Sequence, residues 1–202
     1  MMTLQQLLNF PAAPEVALLF MTCVVLLLEL FVKQKNSLLT YTASQLSLLI
    51  SLVLVSHLYR IPAQLLFHQH YIWDLVAYFI KLSILFFSIF AFVYARDALK
   101  HLGINSGECY LLGLFSILGM LVLTSANSLL TLYLGLELLS FPLYALVALQ
   151  RKPSDAAEAA MKYFNLGALA SGLFLYCLSL LFGATHSLII PTFNEVLLQG
   201  GQ

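Results

Sequence analysis

Four ionisable side chains, Glu29, Lys81, Glu137 and Lys162, stand inside stretches of otherwise apolar sequence. A charge at bilayer depth usually faces protein or water rather than lipid, and such residues mark ion pathways and proton relays. Glu137 is the hardest to place. It is the single carboxylate of TLYLGLELLSFPLYALVALQ, residues 131–150. Desolvation favours the protonated form of such a group, while a nearby cation or water favours the charged form. A carboxylate there can therefore take and release a proton as its surroundings change. The same residue could also be a neutral acid joining two helices, or half of a permanent ion pair.

The other groups have readings that depend on depth. Pro142, five residues beyond Glu137, lacks an N–H and so frees the carbonyl of Leu138. That makes it a candidate helix break, able to admit water or a polar partner, or simply to bend a packed helix. Lys162 can point inward or snorkel outward, and inward it would share a polar cavity with Glu137. Their depths differ by about one to two helical turns, so direct contact is not implied. Lys81 is expected to snorkel to the headgroups, and Glu29 to be drawn toward Lys33, four positions on.

Helices in lipid must hold these side chains. Of 202 residues, 61% are hydrophobic and 9% charged, against roughly 25% charged in a soluble domain. Six apolar segments, 12–32, 38–58, 76–97, 108–125, 127–149 and 158–183, are each long enough, or nearly so, to cross about 30 Å of hydrocarbon as a helix. The expected fold is all-α, one transmembrane domain over residues 1–202. Glu137 lies near the middle of the fifth span. The fourth and fifth spans are divided only by a polar break at Ser125, Ala126, Asn127 and Ser128, read as a tight turn.

Connecting residues give an orientation. The first, third and fifth connections carry Lys33, Lys35, Arg96, Lys100, Arg151 and Lys152, whereas the second has Arg60 alone and the fourth has no basic residue. Basic loops stay cytoplasmic, so the N-terminus is expected on the periplasmic side. The first apolar run comes after a start without Lys or Arg, unlike a cleavable signal, and is read as a retained helix. The second connection, HLYRIPAQLLFHQHYIWD, reads as a polar loop. Its Phe67, Tyr71 and Trp73, with Tyr78 beyond, suit the headgroup level. His68 and His70 are a fragment of a metal site without an evident third ligand. In RKPSDAAEAAMKYF, residues 151–164, either Ser154 or Asp155 is expected to cap the sixth helix, with Glu158 as a capping-box partner. Gly167 with Ser171, and Ala168 with Gly172, are small residues spaced for close packing. Tyr163, Asn165 and Tyr176 could line a hydrated path or bond across helices. Residues 183–199, GATHSLIIPTFNEVLLQ, form a short apolar stretch broken by Pro191, read as a surface helix.

Several chemistries have no residues to carry them. Cys23, Cys109 and Cys177 have no close cysteine neighbours and read as buried thiols rather than cluster ligands or a disulfide framework. There is no P-loop, glycine-rich nucleotide loop or nucleophile elbow, and no basic, aromatic-interleaved patch for nucleic acid.

The run GMLVLTSANSLLTLYLGLELLSFPLYALVALQRKPSDAAEAAMKYFNLGALASGLFLYCLSLLFGATHSL, residues 119–188, closely resembles the N subunits of bacterial proton-pumping NADH:quinone oxidoreductase, respiratory complex I. Weaker likeness extends through PEVALLF, Trp73 and Asp74, YARDAL, and GECYLLGLFSILGM. The resemblance implies the first part of an antiporter-like fold of about fourteen helices, with a chain incomplete at its C-terminus. It implies a translocase subunit of the bacterial inner membrane, coupling electron transfer from NADH to quinone, such as ubiquinone, to proton transport. Partners would be the other membrane subunits of the complex. NADH, flavin, iron–sulfur clusters and quinone would belong to other parts, with no cofactor in this chain. Glu137 and Lys162 match the family's functional glutamate and lysine and are the expected proton path. Lys81 and Glu29 are supporting polar candidates. A cation/proton antiporter subunit, or a structural membrane subunit without transport, are the alternatives.

Overall fold

The computed structural model describes residues 10–31, 37–102, 106–149 and 153–192. Among them are six helices long and apolar enough to cross a membrane. In chain order these are α1 (Ala13–Phe31), α2 (Ser37–His57), α3 (Leu75–Leu102), α4 (Ser106–Thr124), α5 (Leu129–Ala148) and α6 (Pro153–Thr185). α3 continues to Leu102 and α6 begins at Pro153, both beyond the apolar segments themselves. Proline suits that first helical position because its missing N–H would have no partner there anyway. α6 thus starts at Pro153; the side chains of Ser154 and Asp155, and with them the expected cap, lie outside what the structure describes.

The second connection is not a loose loop. After a short 3-10 turn at Leu58–Arg60 come β1 (Gln64–Leu66) and β2 (Tyr71–Trp73), an antiparallel hairpin with Leu65 opposite Ile72. Its tip is unusual: Phe67, His68 and Gln69 all have positive φ, between 51° and 70°. Left-handed backbone costs roughly 1–2 kcal/mol per non-glycine residue, so other contacts must hold it. Asn127 supplies them, donating from its side chain to the Gln69 carbonyl at 2.7 Å and from its backbone to the His70 carbonyl at 3.1 Å.

α4 is the centre of the bundle, packing on α1, α2, α3 and α5. Leu18 and Val25 of α1, Leu48 and Val55 of α2, and Leu85 and Phe92 of α3 close around Tyr110, Leu114, Ile117, Leu118 and Leu121 of α4. Buried serines on α2 do not need water. Ser44 donates to the Thr40 carbonyl at 2.7 Å and Ser51 to the Ser47 carbonyl at 2.9 Å, within their own helix. α5 lies hard against α4. A Cβ at Gly119 would stand 2.5 Å from the Leu139 nitrogen, and one at Gly135 would stand 2.9 Å from the Leu123 nitrogen. Both glycines are required by backbone approach rather than by conformation. α6 packs chiefly on α5 and leaves most of its surface open.

The expected tight turn between α4 and α5 is present and ties together one face of the bundle, the hairpin side. Ile72 N–H reaches the Ser125 carbonyl at 2.9 Å, Leu129 N–H the Leu188 carbonyl at 2.9 Å, and Ile190 N–H the Asn127 carbonyl at 3.1 Å. Ser128 caps α5, accepting from Thr131 N–H at 3.2 Å. Pro191 falls in a helical turn that opens after this contact, and the rest of the expected surface helix, from residue 193 on, lies outside the described residues.

Two groups of residues are placed differently from the sequence expectation. Tyr71 and Trp73 are buried within the protein, at 6% and 2% exposure, rather than presented outward to headgroups. Cys23 and Cys177 are exposed on the bundle surface rather than buried, and Cys109 is half-buried.

Candidate functional site

α5 presents Glu137 to α6. With α5 starting at Leu129 and ending at Ala148, the carboxylate lies roughly 12 Å from one helix end and roughly 17 Å from the other. The glycines at 119 and 135 hold the other side of α5 against α4, so Glu137 points into the seam between α5 and α6. There it accepts a hydrogen bond from the Ser171 hydroxyl, and Tyr133, one turn back on α5, lines the same cleft. The donor stabilises a carboxylate charge.

The seam contains a cleft of ≈ 320 Å³ lined by Tyr133, Glu137, Ser140, Tyr144, Ser171 and Phe174, with Gly167 and Ala170 in its wall. Tyr133 stacks on Phe174 with ring centroids 6.2 Å apart. Tyr144 meets Tyr163 and Phe164 edge to face, at 4.9 and 5.6 Å. Hydroxyls of Tyr133, Ser140, Tyr144 and Ser171 thus share one wall with a partly buried carboxylate, and the aromatic bodies close the ends. Such a cleft can hold water and pass a proton along it. A larger groove of ≈ 520 Å³ runs along α3 between Phe79 and Ala91, reaching Met120. It has no ionisable lining group, and its Ser83 and Ser88 bond to carbonyls of their own helix; it offers no group for proton chemistry.

The sequence-derived residues separate into those the fold brings together and those it does not. Gly167 and Ser171 face α5, Gly167 lying directly under the Tyr144 hydroxyl. A Cβ on Gly172 would meet nothing within 4 Å, so the second small pair does no packing here. Tyr163 contributes through Tyr144, whereas Tyr176 is 62% exposed and Asn165 is also exposed. Lys162 does not join Glu137. Its side chain is exposed and its ammonium pairs with Glu158, one turn earlier on α6. Glu158 is thereby engaged as an ion-pair partner. Pro142 is buried within a helix that runs without a break from Leu129 to Ala148, so the expected helix break is corrected to a continuous helix. Beside the freed Leu138 carbonyl α4 packs closely: Gly119 abuts the Leu138–Leu139 backbone and Ser116 reaches the neighbouring Leu139 carbonyl at 3.5 Å.

Glu29 accepts from the Thr40 hydroxyl and rests on Gly107, at the N-terminal turn of α4, where helix dipoles favour negative charge. Lys33, its expected partner, lies outside the described residues. Lys81 gives the largest correction. It is fully buried and forms an ion pair with Glu15 of α1, rather than reaching headgroups. Its ammonium also donates to the Tyr71 hydroxyl at 2.8 Å and lies over the rings of Tyr71 and Trp73, at 4.8 and 5.0 Å from their centroids. Sequence reasoning missed Glu15 because it stands at a helix start, where a carboxylate is ordinary. Its only signal was an acid and a lysine at similar depth in two spans. Among the described residues, no group of three or more His, Cys, Asp or Glu could hold a metal ion, and His68 and His70 belong to no such group.

Comparison with known proteins agrees with this architecture. Residues 126–201 match the family described as NADH:quinone oxidoreductase/Mrp antiporter, transmembrane. The chain is 42% identical to NADH-quinone oxidoreductase subunit N of Thioalkalivibrio sulfidiphilus, over 95% of its own length and 40% of the relative's. It is 46% identical to the subunit N of Halorhodospira halophila, over 92% of its length and 38% of the relative's. Among solved structures, respiratory complex I from Thermus thermophilus with bound aureothin contains a similar chain. The TM-score is 0.72 at 30% identity, covering 91% of this chain and 41% of that one. An archaeal membrane-bound sulfane sulfur reductase shares the fold at 22% identity, with a TM-score of 0.71 over 92% of this chain and 40% of that one. The chain thus spans about 40% of the length of the relatives it matches. With six membrane-crossing helices in the same arrangement and more than 40% identity along nearly its whole length, the chain belongs to the antiporter-like membrane-subunit family that includes NADH-quinone oxidoreductase subunit N.

Proposed function

We propose that this chain forms part of a membrane subunit of a proton-pumping NADH:quinone oxidoreductase, with Glu137 as the group that carries a proton across the α5–α6 seam. The observation that carries this reading is the mid-helix carboxylate bonded to Ser171, in a cleft also lined by the hydroxyl-bearing Tyr133, Ser140 and Tyr144. Electron transfer from NADH through flavin and iron–sulfur clusters to quinone takes place in other subunits. This chain's contribution is to hold, orient and release protons in response to that distant step. Moving one charge through 100 mV costs about 2.3 kcal/mol, comparable to what is lost when a carboxylate gives up one charge-assisted hydrogen bond. Changing the Ser171 contact is therefore sufficient in scale to switch Glu137.

In this reading Lys162 is the cation at the opposite end of the path. Its pairing with Glu158 represents one position, and the reach of its side chain supports exchange toward the interior. Pro142 serves by its burial beside α4. The basic connections support an N-terminus on the periplasmic side of the inner membrane. The remaining membrane subunits of the complex are the partners that cover α6.

The test is quinone-dependent proton translocation in membrane vesicles carrying Glu137→Gln in the full-length subunit. Loss of translocation with the complex assembled supports the assignment; unchanged translocation removes it, and loss of assembly assigns Glu137 a structural role. The matched family also covers Mrp antiporters, which favours cation/proton exchange as the second reading. Proton movement driven by a sodium gradient in the absence of NADH would select it.

A further inference from the structure

We propose that Glu15, held beside Lys81 beneath Tyr71 and Trp73, is a proton-binding carboxylate distinct from Glu137. The cluster draws on α1, the hairpin and α3, and it is enclosed. Lys81 is fully buried, Glu15 is 6% exposed and Trp73 2% exposed.

A permanent ion pair at such a place would be expected to have every acceptor filled, because a buried charge with unused hydrogen-bonding capacity is costly. Glu15 does not fit that description. Its Oε1 takes bonds from Lys81 and from the Tyr71 hydroxyl, the latter at 3.1 Å. Its Oε2 is buried and has no hydrogen-bond partner. One oxygen of a nine-tenths buried carboxylate is thus open to receive a proton.

With Glu15 neutral, the Lys81 ammonium keeps its hydrogen bond to the Tyr71 hydroxyl and the faces of two aromatic rings. The titratable groups packed around the site are Lys81 and Asp74 of α3 and its start, with Tyr71 and neighbouring His70 of the hairpin. The α4–α5 turn brings the buried, uncharged Ser125, whose carbonyl accepts from the Ile72 N–H of the hairpin at 2.9 Å.

The proton comes from the aqueous phase on the hairpin side. A hydronium ion gives it to Oε2, an O–H bond forms, and water is left. Lys81 keeps its three N–H bonds, and the pair changes from net zero to +1. Glu15 is in the first turn of α1, so the hairpin and residues 10–12 are what stand between it and that phase.

The experiment is infrared difference spectroscopy of the full-length protein in lipid bilayers, with pH stepped in H₂O and in D₂O. The expected result is a protonated-carboxyl C=O band that grows as pH falls and shifts in D₂O. It should disappear in Glu15→Gln, persist in Glu137→Gln, and change its midpoint in Lys81→Met. Glu15→Asp keeps a carboxylate in the site and should displace the band. Identical spectra for wild type and folded Glu15→Gln would overturn the proposal and leave a permanent ion pair. If Glu15→Gln does not fold, Glu15→Asp carries the test, and an undisplaced band overturns the proposal in the same way.

Discussion

Ser171 donates its hydroxyl hydrogen bond to Glu137 across the seam between α5 and α6. The two residues are 34 positions apart in the chain, and their meeting depends on Gly167, one turn earlier on α6, making room for Tyr144. A carboxylate, its donor and the small residue that lets the helices close form one unit, and each can be tested separately.

Ser171→Ala removes the donor and leaves the backbone unchanged. A hydrogen bond to a charged group is worth about 1.5–3 kcal/mol, so a roughly ten-fold or greater loss of proton-translocation rate is expected at saturating quinone. Ser171→Thr should retain most activity. The pH profile of translocation should move in Ser171→Ala, which a purely structural role of the serine would not produce.

Glycine substitutions should rank by what surrounds them. Gly119→Ala forces a methyl group to within 2.5 Å of backbone that cannot turn aside, and overpacking of this kind costs about 1–3 kcal/mol. Gly167→Ala meets the far end of Tyr144, whose ring is restrained by Tyr163 and Phe164; a smaller loss is expected. Gly172→Ala meets nothing and should be neutral or slightly stabilising. Thermal unfolding of the purified variants gives the order, and Gly172→Ala as the worst of the three would contradict this packing.

Asn127→Ala should free the hairpin tip. It removes the side-chain bond to the Gln69 carbonyl that holds three residues in left-handed conformation. Amide exchange around residues 67–70 should accelerate by at least ten-fold, since about 1.4 kcal/mol corresponds to that factor. Gln69→Gly should have the opposite effect on stability, relieving about 1 kcal/mol of strain.

Tyr71 lies outside the spanning helices and gives a pH prediction. Burial, and next the adjacent Glu15 carboxylate, hold its phenol well above the ordinary value of 10.0. The folded state then keeps a proton that the unfolded chain loses, so stability is fully present below about pH 10 and falls as pH rises further. Tyr71→Phe should abolish this alkaline loss while lowering stability at neutral pH by about 1–3 kcal/mol, through the orphaned partners of the hydroxyl. Denaturation curves between neutral and alkaline pH distinguish the two effects.

Much of this architecture was readable because lipid imposes simple demands. A segment of about 20 apolar residues must become a helix, since no other solvent satisfies its backbone, and the six helices coincide with the six apolar segments. Glu137 was legible for the same reason: a carboxylate about ten residues from any polar boundary has few ordinary explanations. Its partner on α6 was not, because Ser171 could be recognised only as a small packing residue until α5 and α6 were side by side. The expected link from Glu137 to Lys162 failed on direction. Lys162 neighbours the packed face of α6 without lying on it, and four residues back stands a nearer acid.

Local hydrophobicity and chain geometry were enough to set the number of long apolar helices, the mid-helix acid and the turn at Ser125–Ser128. Neither could show that Lys81 turns inward to Glu15, 66 positions away, or that Tyr71 and Trp73 cover them; packing of the helices and the hairpin settled both. A long side chain near a membrane surface has two routes to a partner, headgroup or protein. Which one it takes depends on whether a neighbouring helix brings a carboxylate within reach, and no local pattern records that.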